Sequence, residues 1–78
     1  MWVMRMIHRL RYLLAEGFEV GNISGYDAPS GSQEPGRGTI TYVNVKPDGS
    51  RRLATEEFQL SQGEAKRCSR LFLRSLGR

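Results

Sequence analysis

The chain has 78 residues, one cysteine, one histidine and a net charge of +4, with twelve Lys and Arg against eight Asp and Glu. A chain of that length holds one domain and buries only about 60% of the surface its unfolded form exposes, which leaves little room for an enclosed active site. No apolar run approaches the roughly 20 residues that span a bilayer. The lone Cys68 offers neither an internal disulfide nor a cysteine-rich zinc site, so a reducing, cytoplasmic setting without membrane contact is the expectation.

Met1 to Glu16 lack Gly, Pro, Asp and Asn, and they place Val3, Met6, Ile7, Leu10, Leu13 and Leu14 at i, i+3, i+4, i+7 spacing. That period predicts an amphipathic helix with Arg5, His8, Arg9, Tyr12 and Glu16 on its polar side, ending at Gly17. Phe18-Glu19-Val20 alternates and continues weakly through Ile23, which predicts a short strand. Ser24 to Gly38 is dominated by Gly, Pro and Ser and predicts a long loop, either a connector or a recognition element that orders on binding.

Thr39 to Val45 is rich in β-branched and aromatic residues and is the clearest strand. It ends at Lys46-Pro47-Asp48-Gly49-Ser50, a hairpin turn in which Pro presets φ and Gly tolerates positive φ. The return strand, Arg51 to Leu60, contains a parity break between Leu53 and the Phe58/Leu60 pair, which places an expected bulge near Ala54 or Thr55. Ser61-Gln62-Gly63-Glu64 matches a capping box and opens a helix whose apolar stripe is Ala65, Cys68, Phe72 and Leu76, flanked by Leu71 and Leu73, with Gly77 as C-cap. The expected fold class is α+β: an αβββα order, with a three-stranded antiparallel sheet and both helices packed on one face.

The charge is distributed unevenly. Residues 1–16 carry a net +2, residues 17–60 carry −2 and residues 61–78 carry +4. On the last helix Lys66, Arg67, Arg70 and Arg74 fall within about 100° of one another, opposite the apolar stripe. Such a stripe suits phosphate backbones, because each neutralised phosphate releases condensed counterions without any reading of base sequence. It equally suits a solvated helix face paired with Glu56, Glu57 or Glu64, or an acidic protein surface. Tyr26 and Arg37, in the expected loop, are further candidates for contact, and Gly36-Arg37-Gly38 is similar to Arg-Gly segments that meet nucleic acid.

Catalysis has no evident seat. Cys68 lies on an apolar stripe and His8 on a polar face, the carboxylates are scattered, and no Gly-rich phosphate loop opens a helix. No cofactor or metal is expected. Trp2 and Met4, at the borders of the first helix's apolar arc, are candidates for a homodimer contact, and the same helix has the make-up of a membrane-surface or targeting segment.

The order αβββα, the length and a last helix opening Ser61-Gln62-Gly63-Glu64-Ala65-Lys66-Arg67 resemble the double-stranded-RNA-binding domain. The resemblance implies that Lys66 and Arg67 meet phosphates across a major groove, and that Arg5, Arg9 and Tyr12 on the first helix touch a minor groove. Gln62 and Gly63 stand where that family carries paired lysines. In size and make-up the chain is also similar to phage inhibitors such as anti-CRISPR proteins. That likeness implies a partner among nucleic-acid-handling protein complexes, with the basic face docked on an acidic surface.

Overall fold

Burial along the first helix follows the apolar arc: Met6, Ile7, Leu10 and Leu13 are at most 2% exposed while His8, Arg11 and Tyr12 face water. The computed structural model describes residues 4–26 and 36–77. In chain order these form α1 (Arg5–Ala15), β1 (Glu19–Tyr26), β2 (Gly36–Val45), β3 (Arg51–Leu60) and α2 (Gln62–Leu76). The expected α+β architecture is the one observed, with both helices on one face of an antiparallel sheet ordered β1-β2-β3. Val3, Trp2 and residues 27–35 lie outside the described residues, and so does the Trp2 half of the expected dimer contact. No described helix is long and apolar enough to cross a membrane.

The helix ends are set by local chemistry. Gly17 adopts φ 84°, and the Phe18 amide donates back to the Leu13 carbonyl at 2.9 Å, a closing turn only a residue without Cβ enters cheaply. α2 opens on Ser61, whose hydroxyl accepts from the Glu64 amide at 3.2 Å. At its other end the Gly77 amide donates to the Leu73 and Arg74 carbonyls. The β2–β3 hairpin closes through Gly49 at φ 87°, and Asp48 Oδ1 accepts from the Ser50 amide and hydroxyl at 2.9 and 2.7 Å.

Three expectations, two about the sheet and one about α2, need correction. Strand structure continues through Tyr26 and resumes at Gly36, so the ends of the expected 24–38 loop are paired backbone, with Gly25 opposite Gly38 and Tyr26 opposite Arg37. Ladder hydrogen bonds and tight packing override the low strand propensity of glycine there. β3 carries no bulge: it pairs with β2 residue for residue from Arg51 to Leu60, and the only register shift between the paired strands lies in β1 between Val20 and Asn22. Leu53 breaks parity because it faces away from the helices and is 71% exposed. Finally, Leu73 and Leu76 are exposed rather than buried, leaving Ala65, Cys68, Leu71 and Phe72 as the part of the α2 stripe that meets the core.

The core joins Met6, Ile7, Leu10 and Leu13 of α1 to Ile40, Tyr42 and Leu60 of the sheet and Cys68 of α2. Phe18 caps it edge-on against Tyr42, with ring centroids 5.5 Å apart. Among the described residues the other face of the sheet is solvent-facing, crossed by Ser24–Thr39 and Thr41–Thr55 hydroxyl pairs, with Val45 and Leu53 exposed at its hairpin end.

Candidate functional site

α1 and α2 lie side by side with their first turns over the same end of the sheet. Met6 sits against Gly38, and Ala65 against Gly25. A buried bond ties those two turns together: Glu64, with no exposed surface, accepts from the Ile7 amide through Oε2 at 3.1 Å. The helices therefore run in the same direction, and side chains along their facing borders meet turn by turn.

Between those borders lies a groove of about 210 Å³ lined by Ile7 and Arg11 of α1 and by Arg67, Arg70, Leu71 and Arg74 of α2. Four guanidinium-bearing residues thus converge on one strip of surface. The described ion pairs are Arg9–Glu56 and Arg51–Glu19, and among the described residues no carboxylate pairs with Arg11, Arg67, Arg70 or Arg74. Arg67 donates to the Met4 sulfur at 3.2 Å, a weak acceptor that leaves its charge uncompensated. Lys66 and Arg70 border a second, shallower groove with Gly25, Ala65 and Ser69, so Arg70 stands between the two.

Two of the three acidic residues that the sequence offered to this stripe are engaged elsewhere, and the third, Glu57, is exposed on the face of β3 turned away from the helices. Glu64 is buried against α1. Glu56 accepts from Arg9 Nε and Nη2 at 3.1 and 2.9 Å and from the Tyr42 hydroxyl at 2.6 Å. The Arg9 bonds hold the Glu56 carboxyl below the usual carboxylate range against the opposing effect of burial, and the same carboxylate pushes the Tyr42 phenol up. Arg9 also stacks over Tyr12, 5.3 Å from the ring centre. Arg9 and Tyr12 therefore belong to a structural cluster over β3, and the minor-groove role expected of them does not fall on the arginine groove.

Of the other expected contacts, Arg5 is exposed in the first turn of α1 but does not line the groove. Arg37 is exposed on β2, in phase with the sheet face turned away from the helices, where its register partners are Tyr26 and Gln59. Arg37 thus lies in paired backbone away from α2 rather than in a loop beside it. Arg11 is the residue that sequence reasoning missed. Arg9 and Arg11 occupy the two opposite borders of the α1 apolar arc. Which border faces α2 and which faces β3 is decided by tertiary packing.

Cys68 is buried one turn after Glu64, and burial together with that carboxylate pushes its thiol up to about 11. It is held protonated at neutral pH, unlike a thiol poised as a nucleophile, while His8 is exposed on α1. Among the described residues no three His, Cys, Asp or Glu side chains come together as a metal site. Comparison of the chain with family models, curated proteins and solved structures returns no match, so the arginine groove stands as the site on its own chemistry.

Proposed function

We propose that the protein is a non-catalytic binding module that engages a nucleic-acid backbone along the α1–α2 groove, with Arg11, Arg67, Arg70 and Arg74 as the phosphate contacts and Lys66 at the flank. The observation that carries this reading is the convergence of four arginines without a carboxylate partner among the described residues. Guanidinium groups present planar forks of donors suited to phosphate oxygens, and grouping like charges without internal compensation raises the local potential for an anion.

The test is fluorescence anisotropy on duplex RNA, duplex DNA and single strands across a salt series. Four phosphate contacts on duplex DNA give a slope of log K against log salt near −3.6. The pair Arg70→Glu and Arg74→Glu is expected to abolish binding while the circular dichroism spectrum is retained. A flat slope, or the absence of binding to every strand at low salt, overturns the reading.

A second reading is favoured by Leu73 and Leu76, 64% and 61% exposed on the helix that carries Arg70 and Arg74. Apolar side chains next to arginines suit a protein surface better than a phosphate ladder. On this reading the module docks on an acidic face of a nucleic-acid-handling complex and blocks its substrate, as an inhibitor of the anti-CRISPR kind would. Leu73→Ser with Leu76→Ser then removes partner capture from nuclease-treated lysate, whereas it leaves strand binding under the first reading unchanged.

A further inference from the structure

β3 is an edge strand: β2 pairs with one side of it, and among the described residues no strand lies along its other side. Its ten residues run in unbroken register with β2, without Gly, Pro or bulge, whereas the other edge, β1, is interrupted between Val20 and Asn22. Bulges and prolines are two of the means by which an exposed edge is kept from pairing with another chain, charged side chains being a third. β3 has neither bulge nor proline.

What β3 does carry is an ordered set of charges. Arg51-Arg52-Leu53-Ala54-Thr55-Glu56-Glu57 is a charge palindrome about Ala54, two cations before it and two anions after it. We propose that two copies of this chain associate through β3, antiparallel, with Ala54 on the two-fold axis, to make one continuous six-stranded sheet.

Antiparallel partners share a sheet face, so a two-fold pairing that keeps the helices of both copies on one side is centred on a residue. Centred on Ala54, Arg51 meets the partner's Glu57, Arg52 meets the partner's Glu56, and symmetry doubles both pairs. Shifting the axis to Thr55 sets Arg51 against Gln59 and Arg52 against Phe58, with no charge pair left. Shifting it to Glu56 sets that carboxylate on its own copy. The register is therefore specified by attraction at one alignment and by loss or repulsion at its neighbours.

Three further observations fit. Neither Arg52 nor Glu57 has an ion-pair partner among the described residues, and both are exposed, while Arg51 pairs with Glu19 of its own chain through one guanidinium nitrogen and keeps its other donors. Glu56 is held in place on β3 by Arg9 and Tyr42. Leu53, 71% exposed, comes diagonally beside its own copy across the axis, within reach for long side chains. With seven residues a side against the roughly 20 to 30 of a standard interface, the dimer is expected to dissociate on dilution and in high salt.

Sedimentation velocity on nucleic-acid-free protein over two decades of concentration tests this. The unmodified chain is expected to shift from monomer to dimer, and Arg51→Glu or Glu57→Arg alone to remain monomeric throughout. Both positions are exposed, and each change places like charges opposite one another twice. An equimolar mixture of the two variants restores both pairs and is expected to recover the dimer, as is the chain carrying both changes. A chain that stays monomeric at every concentration, a single variant that dimerises like the unmodified chain, or two monomeric variants that fail to combine each overturns the proposal.

Discussion

Glu64 is a carboxylate with no exposed surface on a helix whose other functional side chains reach into water, and its position answers a deficiency elsewhere. α1 has no acidic residue in its first turn and Met4 supplies no side-chain cap, so its first amides lack local acceptors. Glu64 Oε2 supplies one from 57 positions along the chain, at 3.1 Å from the Ile7 nitrogen, and sets a negative charge near the positive ends of both helices. Removing the acceptor leaves a buried amide unpaired. Glu64→Ala is therefore expected to lower the unfolding free energy by about 2–3 kcal/mol, the cost of losing a hydrogen bond to a charged group. Glu64→Gln keeps a carbonyl oxygen for the amide but loses the charge and exchanges the second oxygen for a donor, with an expected loss of about 0.5–2 kcal/mol. Urea midpoints rank the three proteins; midpoints unchanged in both variants would show that the inter-helix cap contributes nothing to stability. Because α1 also carries Arg11, the bond that stabilises its first turn also fixes one wall of the groove.

At the scale of elements, the packing of α1 on β2 turns on Gly38. A Cβ there would lie 2.7 Å from Met6 Sδ, 2.9 Å from Leu60 Cδ2 and 3.0 Å from the Ser24 carbonyl oxygen. The methionine tip has room to move, but the strand backbone of Ser24 has not. Gly38→Ala is expected to destabilise by about 1–3 kcal/mol through overpacking, while Gly63→Ala, with nothing within 4 Å of its new Cβ, stabilises by about 0.5–1 kcal/mol through helix propensity. Guanidinium unfolding of both variants, moving in opposite directions, is the check. The same glycine shows where local reading ends. The β3 limits, Gly17, the Ser61 cap and the 46–50 turn were legible because each depends on neighbours in sequence. Gly36-Arg37-Gly38 reads as loop because glycine is depleted from strands, yet Gly38 is required by the close approach of the Ser24 backbone, 14 positions earlier on the neighbouring strand. The site divides in the same way. Helical period gathers Lys66, Arg67, Arg70 and Arg74, whereas the loss of Arg9 to Glu56 and the arrival of Arg11 depend on which side of α1 meets α2.

Across the whole molecule the layers differ in charge: the segments holding the helices sum to +6 and the strand-and-loop segment between them to −2. Carboxylates that would balance the helices are bonded to Ile7 or Arg9, so the arginine groove remains a site of net repulsion in the free protein. Arg70 lies at i+4 from Lys66, i+3 from Arg67 and i−4 from Arg74, three like-charge neighbours on one helix. Each such pair costs about 0.2–0.5 kcal/mol at low ionic strength. Arg70→Gln, with similar helix propensity, is therefore expected to raise stability by about 0.5–1 kcal/mol, or roughly 2–8 °C in Tm for a domain of this size. Added salt screens the same repulsion, so the unmodified chain is expected to melt higher as salt rises and the two proteins to converge near 1 M, where the Debye length is about 3 Å. Binding moves the other way, since the variant loses a phosphate contact and its salt slope flattens by about 0.9. Melting curves for the two proteins across a salt series read the stability effect directly. A Tm for the unmodified chain that does not change with salt would mean that the arginines are already compensated, and the physical reason for a groove that recruits an anion would be gone.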